Sequence, residues 1–486
     1  MASYIRIINH LVLEDDPNDP RCGPSAIRLL ENSLYHLLVP TSRPLRTRDA
    51  FATLLHLADE KINTLPFHAV GAEWLRLYVD ATIGLVVAQV LANDDEAPWR
   101  ECIRKLDMAI VVAGAVGKGR DEVIQRLIKL VQADYAADHL ARYRRMIEHE
   151  TTAQDAEQEP RKRRRITGPQ RLHYAANAVP ELAPLPSSNA YRTTHHTQPF
   201  IIRRFASPSS SPAISHWRSA AYLLSLVGPG RVVPVEIGAS YTAKEWGQRI
   251  VPFELFLSRI GYDLSGLLPA EEDELNKADE LPHGQPLYLA QHALLDQFPM
   301  LRPDVGPLPD YIYAEPGAEG YAPPGNEQGL IMNVWVGNGA GAGHGEEADE
   351  RKGNDSAGPV ISPAHTDPYF NCYLQILGEK RVWLAPPDVS DSMYAFPEPE
   401  AQDSNSELDD AEGEGDTSST ASGLVTSYTT NTSRVPIFEN PDRARGSAYE
   451  RRYERFYERA FPQSLEAVLE PGDLLVMPPK WLNSET

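Results

Sequence analysis

The residues with the most chemistry in reach lie in SPAHTDPYFNCYLQILGEKRVW, from Ser362 to Trp383. His365 and Asp367 are two apart, so on an extended strand both side chains emerge on one face. An imidazole nitrogen and a carboxylate converging from one strand can grip a divalent metal. A histidine from a distant strand would complete a two-histidine, one-carboxylate triad with three positions left open. The pair alone recurs by chance in many chains, so its neighbours carry the weight. Lys380 follows the turn LGE, where an ammonium can meet the far carboxylate of a small diacid in a charge-assisted hydrogen bond. Asn371 and Ser362 flank the pair with short polar contacts, and Tyr288, in PLYLAQHALLDQFP, offers a phenol. Each has a plainer reading: Lys380 as a hairpin charge, Tyr288 as a core residue with a satisfied hydroxyl.

Strands must position these groups. From about residue 196 the chain turns to short β-branched and aromatic runs broken by turns: GRVVPVEIG, PLYLAQHALL, GLIMNVWVG, CYLQILG, KRVWLAPP and DLLVMPP. Six such runs with Pro/Gly punctuation predict a β-sandwich or barrel. Residues 1–150 read as helix after helix. In DEVIQRLIKLVQADYAADHL, Ile124, Leu127, Ile128, Val131 and Tyr135 recur at the spacing of one buried helical face. RDAFATLLHLADEKI, GAEWLRLYVDATIGLVVAQVL and WRECIRKLDMAIVVAGAV repeat the pattern, which predicts a helical-hairpin domain serving as scaffold or partner surface. Residues 151–195 lose periodicity and are expected to be a disordered linker. Its Arg161–Arg165 block, RKRRR, reads either as a nuclear import signal or as a solvated charge run. Disordered insertions are expected at about 338–358 and 388–430. The first is glycine-rich, but no amphipathic helix follows it as a phosphate loop requires. The second carries eleven acidic and no basic residues between Asp388 and Asp416.

Bulk properties narrow the class. The 486 residues suffice for two or three domains, and the net charge of −22 disfavours nucleic-acid backbone and favours basic partners. Three scattered cysteines (Cys22, Cys102, Cys372) provide neither a disulfide framework nor a cysteine zinc site, which fits a reducing compartment. No basic leader precedes a long apolar core at the N-terminus, and the apolar run Ala81–Ala92 is too short to span a bilayer. A soluble, intracellular protein with no membrane partner is therefore expected.

From about Gly230 to Trp481, roughly half the chain, the sequence resembles the Jumonji-C (cupin-like) 2-oxoglutarate oxygenases. The likeness is greatest to the arginyl hydroxylase and histone lysine demethylase branch. VPVEIGASYTAKEW, YLAQHALLDQFPMLRPDV, IMNVWVG, SPAHTDPYFN, LGEKRVWLAPP, NTSRVPIFENPD and LEPGDLLVMPPKW occur in the family's order. The resemblance implies an α+β chain: an N-terminal helical domain, then a double-stranded β-helix of jelly-roll form over 196–486. It implies Fe(II) held by His365 and Asp367, and 2-oxoglutarate held by Tyr288, Ser362, Asn371 and Lys380. Glu236 and Trp335 are implied as substrate-pocket residues, a carboxylate for a cationic head and an aromatic wall for its stem. The activity implied is hydroxylation of arginine, or demethylation of methyl-lysine, in a basic protein such as a histone. A nuclear setting follows from the family and RKRRR.

The likeness stops at the last motif. Where the family places its second iron-binding histidine this chain reads GDLLVMPPKWLNSET, with Asn483 at that position and no histidine after His365. An amide oxygen is a far weaker iron ligand than an imidazole. The polar LNSET reads as no core strand, so the β domain is expected to lack its last strands and to expose an edge. Two explanations compete: a truncated translation, which this abrupt departure favours, or a pseudo-enzyme serving as a non-catalytic binding module. A small-molecule oxygenase or cupin isomerase fits less well, because Glu236 and Trp335 match a branch that handles cationic side chains.

Overall fold

The computed structural model describes residues 2–13, 22–39, 44–66, 69–92, 99–156, 173–242, 245–267, 285–306, 308–309, 321–326, 329–338, 360–396, 431–438 and 447–486. Among the described residues the chain opens with seven helices: α1 (Ala2–Leu13), α2 (Pro24–Leu38), α3 (Pro44–Thr64), α4 (Ala72–Ala92), α5 (Trp99–Val111), α6 (Arg120–Tyr135) and α7 (Ala137–Ala156). Helix α6 buries Ile124, Leu127, Ile128 and Val131, as their spacing predicts, and Asp121 and Glu122 complement the dipole in its first turn. Tyr135 does not follow them: it ends the helix and is exposed, because the last turn has passed the packed face. Helix α4 is buried from Arg76 to Ala88, apolar on every side. It is long and apolar enough to cross a membrane, yet 72% of its most apolar window lies inside the fold. Its buried acidic residue, Asp80, accepts from Arg120 at 3.1 Å and Arg76 at 3.5 Å, which neutralises the charges.

Twelve strands follow among the described residues: β1 (Asn177–Ala178), β2 (Phe200–Ile202), β3 (Val232–Ile237), β4 (Gly247–Pro252), β5 (Leu287–His292), β6 (Val334–Gly337), β7 (Ser362–Thr366), β8 (Asn371–Leu374), β9 (Lys380–Ala385), β10 (Leu465–Leu469), β11 (Leu474–Met477) and β12 (Leu482–Glu485). They form sheets in the orders β1-β10-β9-β12-β7, β2-β11-β8 and β4-β3-β5-β6. All six β-rich runs read from the sequence become strands. The five- and three-stranded sheets share a core of Val382, Leu384, Ala467, Leu469, Ile201, Leu475, Met477 and Trp481. On β9 the alternate residues Trp383 and Ala385 face the other way, into a layer with Leu482, Tyr449, Tyr453 and Phe456. Both faces of β9 are therefore covered from Val382 on, which is why VWLA is apolar without alternation.

The helices are tied to the third sheet by a buried ion pair. Asp107 of α5 accepts from Arg231 Nε at 3.0 Å and Nη2 at 2.7 Å, from the Val232 N–H at 2.9 Å and from Gln297 at 3.0 Å. Tyr143 of α7 joins the core formed by the helix Ala220–Val227 and strands β3 and β5.

Three expectations are corrected. LNSET does form a core strand: β12 pairs with β7 on one side and β9 on the other, with Leu482, Asn483 and Ser484 buried. Its polar side chains are accommodated because they face the cleft or bond to backbone; the Ser484 hydroxyl donates to Ser362 O at 2.7 Å. The stretch 173–195 is ordered, not linker. The N–H groups of His173, Tyr174 and Ala175 converge on the Glu466 carboxylate at 2.9, 2.6 and 3.2 Å, and β1 runs parallel to β10. Ala175, Val179 and Tyr191 supply apolar burial that the Pro/Ser composition hid. Residues 388–396 likewise belong to the fold, because Val389 and Met393 are anchored in the aromatic layer. Of the remaining expectations, Arg161–Arg165, residues 339–358 and residues 397–430 lie outside the described residues.

Candidate functional site

The two β-rich layers open into a cleft of about 1530 Å³ to which all the candidate residues contribute: Glu236, Tyr288, Trp335, Ser362, His365, Asp367, Asn371, Lys380 and Asn483. At its floor stands His365 on β7. Its Nδ1 donates to Pro363 O at 2.8 Å, which leaves the Nε2 lone pair toward the cleft. Nε2 lies 4.0 Å from Asp367 Oδ2. The same Oδ2 accepts from Asn371 Nδ2 at 3.1 Å, so Asn371 orients the carboxylate. The Lys480 N–H donates to Asp367 O at 2.7 Å, with Lys480 in the left-handed region at φ 64°. That turn delivers β12 beside β7, where Asn483 lies opposite His365 in register.

On β12 the side chains of Asn483 and Glu485 share a face, two residues apart. Both enter the cleft. Asn483 Nδ2 donates to His365 O at 3.3 Å and to Asp367 Oδ2 at 3.4 Å. Between Ser362 and His365, two residues of β7 (Pro363 and Ala364) stand against one of β12 (Ser484). Such a bulge re-aims side chains, and here it sets Ser362 opposite Glu485.

A second group forms around Lys380. Gly378, at φ +68°, makes the turn from β8 to β9 that a Cβ would strain, and Lys380 starts β9 two residues on. Its ammonium pairs with Glu485, donates to Tyr288 OH at 3.3 Å and lies 5.0 Å from the Tyr373 ring centroid. Burial would lower the Lys380 pKa, but the Glu485 carboxylate holds it well above the ordinary value. Burial drives the Tyr288 phenol up as well, with Lys380 opposing. The Tyr288 ring fits because β6 presents Gly337: a Cβ there would sit 2.6 Å from Tyr288 Cδ2.

Glu236 forms the third element, opposite Tyr288 across β3 and β5. Burial raises its carboxyl pKa, and the Trp246 indole N–H offsets part of that rise, although Trp246 Nε1 makes no well-formed hydrogen bond. The Tyr241 phenol, within 3.3 Å of Thr432 Oγ1, is raised by burial and then by the carboxylates of Glu236 and Asp367. Trp335 is 38% exposed, its ring 6.4 Å from that of Tyr373. Sequence reasoning missed Tyr241, Trp246, Tyr373 and Glu485. Tyr373 lies two residues beyond Asn371 on one strand, a period-two signal that was available. Glu485 was hidden by reading LNSET as no strand.

The donor set does not fit an iron(II) triad. His365 and Asp367 are presented as a pair, but the third position holds an amide whose nitrogen faces Asp367. Among the described residues no three His, Cys, Asp or Glu side chains are placed to share a metal. Nor is the Lys380 cation left open for a diacid, because Glu485 is on it.

A profile of the cupin-like domain matches residues 187–483. The chain is 25% identical over 459 residues to lysine-specific demethylase 8 of Danio rerio, covering 93% of this chain and 88% of that one. It is 27% identical over 275 residues to lysine-specific demethylase JMJ30 of Arabidopsis thaliana, covering 56% and 43%. With Jumonji C domain-containing protein 5 of Drosophila melanogaster the identity is 29% over 280 residues, covering 56% and 47%. The chain thus spans under half the length of the plant and fly relatives.

Proposed function

The chain belongs to the cupin-like JmjC family of 2-oxoglutarate-dependent oxygenases, and from that premise we propose that its cleft receives a cationic side chain of a basic protein. The carrying observation is Glu236, a half-buried carboxylate in the cleft wall with an indole and a phenol beside it. Among the described residues lining the cleft, Lys380 and Arg381 are paired with Glu485 and Glu466, so the surplus is negative: Glu236, Asp367 and the exposed Glu379. A planar guanidinium can meet Glu236 with two parallel hydrogen bonds, which favours arginine. Methyl-lysine is the second choice, its head held by Glu236 and its stem against Trp335.

Fe(II) and 2-oxoglutarate, when bound in this family, supply oxidation of a carbon on the bound side chain. In this chain the reading the geometry supports is recognition of the basic protein without that oxidation. Hydroxylation or demethylation belongs to the same cleft with a histidine at position 483. The oriented Nε2 of His365 and the steered carboxylate of Asp367 favour that second reading of the site's origin. The block Arg161–Arg165 is read as a nuclear import signal, which puts histone tails among the basic partners.

The test is a titration of the protein with labelled basic peptides bearing arginine, lysine or methyl-lysine at the centre. Succinate is assayed in parallel with Fe(II) and 2-oxoglutarate. Arginine peptides are expected to bind best, and Glu236→Gln to weaken them by about tenfold, the equivalent of ~1.4 kcal/mol. Equal binding by wild type and Glu236→Gln would refute the cation reading. Peptide-dependent succinate from the wild-type chain would refute the non-oxidative one.

A further inference from the structure

We propose that Glu485 is a built-in counter-ion: it fills from within the chain the subsite at Lys380, so that the cleft excludes small dicarboxylates. The pair is nearly closed to water, with Lys380 and Glu485 side chains 12% and 13% exposed. An ammonium has three donors; the Glu485 carboxylate and the Tyr288 phenol take two of them, and the Tyr373 face packs against the head. The carboxylate is no loose tail. Glu485 lies in a strand bonded on both sides, opposite Val382 of β9 and Ser362 of β7. One residue on, Arg381 N–H donates to Thr486 O at 2.9 Å and Thr486 N–H to Arg381 O at 3.0 Å.

A free diacid must therefore displace an intramolecular rival. A tethered group competes at an effective concentration of about millimolar even on a flexible link, and far higher when its geometry is fixed. The diacid also loses translational freedom that Glu485 has already lost. With its cation neutralised, the cleft keeps a net negative lining. The inference extends the reading of that lining as a cation site.

The experiment uses glutarate, a diacid with no metal-chelating keto group, titrated into metal-free full-length protein. Heat release and the shift in Tm are recorded. Wild type is expected to show no saturation at millimolar glutarate. Glu485→Gln is expected to bind it about tenfold or more tighter, with a matching rise in Tm on adding glutarate. Lys380→Met combined with Glu485→Gln is expected to lose that gain. Glu485→Asp, which keeps the charge and shortens its reach, covers the case in which Glu485→Gln does not fold, and its affinity should fall between the two. Wild type that binds glutarate as tightly as the folded variants would overturn the proposal. So would a folded Glu485→Gln that gains nothing. Arginine-peptide binding by wild type is scored separately, so a failure there falls on the cation reading and not on Glu485.

Discussion

Replacing Asn483 by histidine tests whether His365 and Asp367 are poised as a metal pair. The loss on the amide side is small. Its two hydrogen bonds, to His365 O at 3.3 Å and Asp367 Oδ2 at 3.4 Å, are long, and such bonds contribute at most about 1 kcal/mol together when stretched. The gain is a third donor on the strand opposite His365, beside Asp367. Outer-shell groups alone change metal affinity by about 10–100-fold, so a direct imidazole ligand should change it by at least about 100-fold, or ~2.7 kcal/mol. Co(II) is the suitable probe, because its visible absorption reports coordination without turnover. Asn483→His should give a saturable Co(II) spectrum and a metal-dependent rise in Tm. Wild type should need about 100-fold more metal, and adding His365→Ala to the variant should abolish the signal. A folded Asn483→His with wild-type affinity for Co(II) would refute the reasoning, because the pair would then not be arranged around a common point.

The remaining predictions concern the supports of the cleft and its charge. Asp107→Ala leaves Arg231 buried without its carboxylate and should destabilise the fold by about 3–5 kcal/mol, read as a lower urea midpoint; an unchanged midpoint would show that the helices and the third sheet are not coupled there. Gly337→Ala drives a methyl into the Tyr288 ring, with an expected cost of about 1–3 kcal/mol in chemical denaturation. Glu236 has a folded-state pKa above its ordinary value because burial disfavours its charge. The folded state thus holds its proton longer than the unfolded one, and stability from this group is present at low pH and declines as pH rises through that raised value. Arginine-peptide affinity should move the opposite way, tightening over the same interval as the carboxylate ionises. Glu236→Gln should flatten both profiles, and a pH profile of binding indifferent to the substitution would exclude Glu236 as the cation's partner.

The sequence by itself determined the periodic elements and the identity of the chemistry-bearing strand. Apolar spacing in α6 and the β-rich runs from GRVVPVEIG to DLLVMPP are local properties, written in residue order and legible there. So was the His-x-Asp pair, because one extended segment fixes the spacing of its side chains; the turn before Lys380 is no hairpin, since β8 and β9 join different sheets, and only the fold places Lys380 in the same cleft. Only the tertiary structure decided the fate of LNSET. Four polar residues in five carry no strand signal of their own, yet ladder bonds from β7 and β9 on either side make them a strand. That pairing then determines which side chains alternate into the cleft. The contact of the Asn371 amide with Asp367 Oδ2 at 3.1 Å is likewise set by the backbone after β7 and not by residue order alone. Glu466 gathers three N–H groups from a stretch almost 300 residues earlier, an arrangement with no trace in either segment alone. Glu485 reaches Lys380 for the same reason: partners distant in sequence meet only when the sheet is assembled, and the charge balance of the cleft is a property of that meeting.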